Sequence, residues 1–242
     1  MLGGSLPILY EDDSLVVINK PPGLLVHRSA ATSRSEDAVL QLLRDQLNQR
    51  MFPVHRLDRA TSGLLLVAKS SQVAANLAEQ FAQHSLQKTY LAVVRGWPAS
   101  VLRLDQALGV LDDPSHAPQR AISHLEVLAR VELDLAVDRY PQTRYGLLRL
   151  RPETGRRHQL RRHCKSIFHP IINDTSYGHG VHNQFFRDHF AVTRLLLHHF
   201  SLEFRHPLSH EALFMQAPID QDFAKILAAF GWNLSGVDGL GV

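Results

Sequence analysis

Apolar and polar positions along this chain change period several times, and the changes mark its elements. "SLVVINKPPGLLVH" (14–27) reads as a short apolar strand halted by Pro21-Pro22-Gly23. From Glu36 to Gln49, Val39, Leu43 and Leu47 recur every fourth residue, the spacing of one helix face. After a turn at Thr61-Ser62-Gly63, "GLLLVA" reads as a strand entering the interior. A second helix follows, with Val73, Leu77 and Phe81 on one stripe and Ser70-Ser71 as its caps. The next strand, "KTYLAVVRG" (88–96), puts Tyr90, Ala92 and Val94 on one face and Leu91, Val93 and Arg95 on the other. Residues 97–120 carry turn residues and mixed polarity, and read as a long irregular connection. Strands are expected at 124–133 and 145–152, then a helix over 154–167 with Leu160, Cys164 and Ile167 inward. Strands and helices without regular βαβ alternation predict an α+β fold with a largely antiparallel sheet, and a single domain over 1–242 is the simplest count.

Composition narrows the class. The 242 residues suffice for a well-buried core, and 45% hydrophobic with 20% charged residues is ordinary for a soluble globular protein. No apolar run approaches the ~18 residues of a membrane span, and "MLGGSLPILYEDD" lacks the pattern of a leader, so a cytoplasmic location is expected. With Cys164 as the only cysteine, neither an intramolecular disulfide nor a cysteine-based zinc site can form. Net charge is only +3, but it is unevenly spread. Between Arg139 and Lys165 nine Lys or Arg residues face one acid, Glu153. Such a run is either a solvated face or a surface that tracks phosphates.

Chemistry is harder to place. Fifteen histidines invite a metal, yet there is no HExxH, and His158 and His163 are five apart, the wrong spacing for one helix face. No metal and no nucleotide cofactor is expected, since phosphate-binding glycine loops are absent too, as is a GxSxG nucleophile elbow. What remains is Asp58, set between Arg56 and Arg59. Neighbouring cations favour the ionised carboxylate, which can serve as a nucleophile or steady a developing cation. Taken alone, such an aspartate more commonly just orders its own turn.

Its surroundings change that balance. "HRLDRATSGLLLVAK" (55–69) resembles the signature of the RluA-type pseudouridine synthases, whose catalytic aspartate matches Asp58. "INKPPGLLVHRS" (18–29), "QKTY" (87–90), "TGRRHQLRRHCKSIFHPIINDTSYG" (154–178) and "LLLHHFSLEFRHP" (195–207) are similar in order and spacing. The resemblance implies a bifurcated mixed sheet with flanking helices and a central active cleft. It implies that Asp58 acts at C1′ of the target ribose, that Tyr90 lies against the base, and that Arg161 pairs with Asp58. Leu160 would help floor the pocket, Arg56 would fill the gap left by a flipped base, and the basic stretch with Arg157 and Arg162 would hold phosphates. "RYPQTRYGLLRLRPETGRRHQLRRH" and "AAFGWNL" are most similar to family members acting on tRNA, at uridine 65 of the T stem. The catalytic pattern starts near Ile8, so no S4-like RNA-binding domain is expected before it, nor an obligate protein partner; a monomer suffices. Rival readings are a synthase for ribosomal or several RNAs, an N-glycosylase that breaks the same bond without rejoining it, and an RNA-binding or chaperone module.

Overall fold

The structure is a computed structural model that describes residues 5–28, 37–113 and 115–234. Readings that involve the first four residues, the start of the first helix before residue 37, or the tail from residue 235 lie outside these. In chain order the elements are β1 (Ile8–Glu11), β2 (Leu15–Lys20), α1 (Val39–Leu47), β3 (Phe52–Pro53), β4 (Ser62–Ala68), α2 (Ser71–Ala82), β5 (Gln87–Arg95) and β6 (Val101–Asp105). They continue with β7 (Ile122–Leu133), β8 (Thr143–Pro152), α3 (Gln159–Ser166), α4 (Gly180–Phe190), β9 (Leu197–Arg205), β10 (Ala212–Gln216) and α5 (Gln221–Ala229). These elements form two compact units. The first takes the described residues up to Thr89 together with His198–Pro218, and the second Tyr90–Leu197 and the described residues from Ile219 onward.

In the first unit the strands run β1-β2-β4-β9, with β3 also on β4 and β10 on β9. Every pairing is antiparallel except β4 with β9, where Ser62 and Gly63 lie beside His198 and His199. All seven residues of β4 are buried, which explains why its sequence is a continuous apolar run rather than an alternation. Leu15, Val17, Leu64 and Leu66 pack with Val73 and Leu77 of α2 and with Leu202 and Phe204 of β9. Helix α2 begins where its capping residue predicts: Ser70 accepts a hydrogen bond from the Val73 N–H at 3.2 Å.

The second unit is an antiparallel sheet in the order β5-β8-β7-β6. Residues 97–120 are therefore not wholly irregular: Val101–Asp105 is an edge strand whose alternating burial leaves every second residue in water. Tyr145, fully buried, centres an aromatic cluster with Phe186 at 5.0 Å and Phe230 at 5.7 Å, tying α4 and α5 to β8. Cys164 is buried, and burial pushes its thiol up to about 12, so it stays an unreactive packing residue.

Candidate active site

Asp58 lies half-buried in the loop between β3 and β4. The loop closes on itself, Asp58 O accepting from the Thr61 N–H at 3.0 Å. A buried lysine anchors the loop to the neighbouring turn. Lys20, with no exposed surface, donates from Nζ to Pro21 O (2.8 Å), Leu24 O (2.8 Å) and Arg59 O (3.2 Å). The Gly23 N–H also donates to Arg59 O at 2.8 Å, and Arg59 Nε returns a bond to Gly23 O at 2.9 Å. "KPPG" and "DRAT" are thus stapled together by main-chain oxygens around one lysine. Gly23 makes that turn at φ 86°, a conformation glycine adopts without strain.

On the other side of the loop, Gly63 lets two strands meet. A Cβ there would lie 2.2 Å from His199 O, so no other residue permits the parallel pairing with β9. His199 Nδ1 donates to Leu64 O at 2.7 Å, and Ser62 Oγ is 2.8 Å from His198 Nδ1. His55 accepts from the Leu66 N–H at 3.0 Å and stacks on Phe81 at 4.6 Å. Burial and the nearby Lys88 hold His55 down to about 3, so it is a neutral acceptor. Of the two arginines flanking Asp58, Arg59 belongs to the staple, while Arg56 is exposed and has no hydrogen-bond partner among the described residues.

The second unit holds the other sequence-selected residues. Tyr90 is half-buried in β5, opposite Leu150 of β8. Leu160 and Arg161 are buried in the first turn of α3. Gln159 sets that turn against β7. Its Nε2 donates to Ile122 O and Ser123 Oγ, both at 2.9 Å, while its Oε1 accepts from Thr154 Oγ1 at 2.7 Å and the Arg156 N–H at 3.0 Å. Arg161 forms a two-pronged pair with Asp174, Nε to Oδ2 at 2.7 Å and the terminal nitrogen to Oδ1 at 2.8 Å. Burial works to raise the Asp174 pKa, but Arg161 and the N–H groups of Tyr177 and Ser176 outweigh it and hold the carboxyl below its ordinary value. Asp174, in "NDTSYG", has no role that the sequence shows; its part emerges only once Arg161 is seen buried beside it and in need of a carboxylate.

Arg157 and Arg162 occupy different surroundings. Arg157 is exposed and ion-paired with Asp112, and Arg162 donates to Gly109 O at 2.9 Å, so both tie down the segment after β6. The basic run is partly neutralised by acids distant in sequence: Arg144 pairs with Glu132, Arg149 with Glu126, Arg157 with Asp112 and Arg161 with Asp174. Counting acids only within the run overstated its charge.

The mostly antiparallel α+β fold, with its helices α1–α5, is shared with known RNA-modifying enzymes. Residues 14–166 match the family model described as RNA pseudouridylate synthase, and the chain belongs to that family of RNA-modifying isomerases. Among curated relatives, it is 44% identical to tRNA pseudouridine synthase C of Vibrio cholerae over 238 residues, 95% of this chain and 98% of that one. Its counterpart in Pasteurella multocida is 44% identical over 241 residues, 96% and 99% of the two chains. Among solved structures, human RNA pseudouridylate synthase domain containing 1 superposes with a TM-score of 0.69 at 26% identity, covering 90% of this chain and 86% of that one. The human domain-containing-4 protein, at 24% identity, shares the fold with a TM-score of 0.72, over 93% of each chain.

Proposed function

We propose that this protein isomerises a uridine of tRNA to pseudouridine, at position 65 in the T stem, with the whole chain 1–242 acting as one catalytic module. The observation that carries the reading is the full-length similarity to proteins named tRNA pseudouridine synthase C, combined with the Asp58 loop that Lys20 holds in place.

In this reading Asp58 attacks C1′ of the target ribose, and the C1′–N1 bond breaks as uracil leaves. The base turns, C5 bonds to C1′ as Asp58 departs, and the C5 hydrogen is lost as a proton while N1 regains one. Tyr90 lies against the base and assists removal of that proton. Arg161, oriented by Asp174, pairs with Asp58, and Leu160 packs beneath the uracil. Arg56 enters the stack where the base has left, offsetting part of the few kcal/mol that flipping costs. Arg157 and Arg162 contact phosphates. The protein works as a cytoplasmic monomer and needs neither a metal nor an organic cofactor.

The substrate is tested by incubating unmodified tRNA and ribosomal RNA transcripts with the protein, then mapping pseudouridine by carbodiimide modification and primer extension. One new stop in the tRNA T stem is expected. Stops in ribosomal RNA alone would favour the alternative reading of a ribosomal RNA synthase.

A further inference from the structure

The second unit has a cavity of about 430 Å³ at the end of β5 remote from Tyr90. Five residue steps along the strand lead from Tyr90 to Arg95 at its edge, roughly 17 Å of extended chain. The cavity lies within the range of small-ligand sites, ~300–1,000 Å³, and none of the residues discussed for catalysis lines it.

Its walls are aromatic and exposed. Trp97 is 37%, Tyr140 53% and Phe168 81% accessible, an unusual concentration of rings in water around one opening. Phe168 follows α3 at φ 63°, a left-handed conformation that bulky residues disfavour and that glycine or asparagine would adopt at lower cost. Trp97 is held rigidly: its Nε1–H donates to Val131 O at 3.1 Å, and the Arg144 guanidinium lies 4.5 Å over the ring. Packing alone does not require rings placed in this way.

The polar groups add direction. Arg95 Nε donates to His182 Nε2 at 3.1 Å, and His182 Nδ1 is bonded to the Tyr145 hydroxyl at 3.0 Å. His182 is therefore a neutral acceptor, consistent with burial and Arg95 pushing it down to about 4. It orients Arg95, whose terminal nitrogens have no hydrogen-bond partner among the described residues and whose side chain lines the cavity. Asp138 supplies an acceptor on the same wall. Asp138, His179 and His182 could be read as metal ligands, their donor atoms lying within 4.8 Å of one another. Both His182 nitrogens are already bonded, however, and a guanidinium beside them opposes a cation.

Flat rings, a cationic donor and a carboxylate acceptor around one opening match an unpaired nucleobase with its phosphate. We propose that this pocket takes one unpaired nucleotide of the substrate RNA, away from the uridine that reacts. The proposal rests on the RNA-modifying reading above.

The test uses the full chain carrying Phe168→Ala and Tyr140→Ala, both exposed rings outside the catalytic set, with steady-state tritium release from [5-³H]uridine-labelled tRNA. The expected result is a KM about tenfold higher with kcat unchanged, the size of losing one base–aromatic stack. A second readout is Trp97 fluorescence in a Trp232→Phe background: a short single-stranded RNA should quench it, and the double variant should lose the quenching. Unchanged KM and unchanged quenching in an active variant overturn the pocket alone. Absence of turnover and of RNA binding in the wild type overturns the reading beneath it, and the pocket with it.

Discussion

Lys20 shows how one buried side chain can hold the loop that carries Asp58. Its Nζ donates to three main-chain oxygens, of which Arg59 O is shared with the Gly23 N–H while Pro21 O and Leu24 O depend on the lysine. Lys20→Met keeps the volume and removes the donor, and each oxygen left unsatisfied costs about 1–3 kcal/mol. Urea unfolding of that variant should show a loss of about 2–4 kcal/mol, and turnover should fall at least tenfold because Asp58 loses its support. Stability and turnover equal to wild type would mean that the loop is held by something else. In sequence, Asp58 stood out because charges alternate around it. Lys20 did not, since a lysine ending a strand looks solvated until the oxygens folded over it are known. Asp174 was hidden for the same reason: its partner Arg161 is thirteen residues away on a different element.

Periodic apolar patterns marked the elements that bury a stripe or a whole strand, and those are where sequence and structure agree. Helices α1 and α2 bury Val39 and Leu43, and Val73 and Leu77, as their four-residue spacing predicts. Strand β6 escaped notice because an edge strand needs apolar residues on one face only, and five residues give two such positions. Helix α4 escaped because polar and aromatic residues are mixed along it, and its buried positions include His182 and Asn183. The segment after β6 is bound by Arg157, just before α3, to Asp112 and by Arg162, within α3, to Gly109 O. Arg157→Ala with Arg162→Ala should therefore weaken RNA binding and reduce the slope of log affinity against log salt by about one to two. A filter-binding series from low to moderate salt measures this; an unchanged slope would place the phosphate contacts on other residues.

At the scale of the whole molecule, buried histidines couple stability to pH. His199 and His182 are both buried, the first held well below its ordinary value by burial and His55, the second held at about 4. Because their folded values are depressed, the unfolded chain takes up protons first as pH falls through ~6.5. Stability from these groups is thus complete above that value and is lost between it and the folded value. Each should contribute a loss of about 2 kcal/mol between pH 7 and pH 5, well before Asp174 begins to protonate. Urea midpoints at pH 7, 6 and 5 check this, and a flat profile over that range would contradict it. No helix among the described residues is long and apolar enough to cross a membrane, in keeping with the hydropathy of the chain.

Everything proposed for the reaction depends on Asp58 carrying the bond exchange. This is tested most directly by incubating tRNA labelled with tritium at uridine C5 with wild-type protein and with Asp58→Asn, then measuring tritium in water and free uracil. The wild type should release tritium without free uracil, and Asp58→Asn should release none although it still binds RNA, because the amide cannot replace the ionised oxygen at C1′. Release by Asp58→Asn at the wild-type rate would remove Asp58 from the chemistry, and free uracil from the wild type would make the protein a glycosylase.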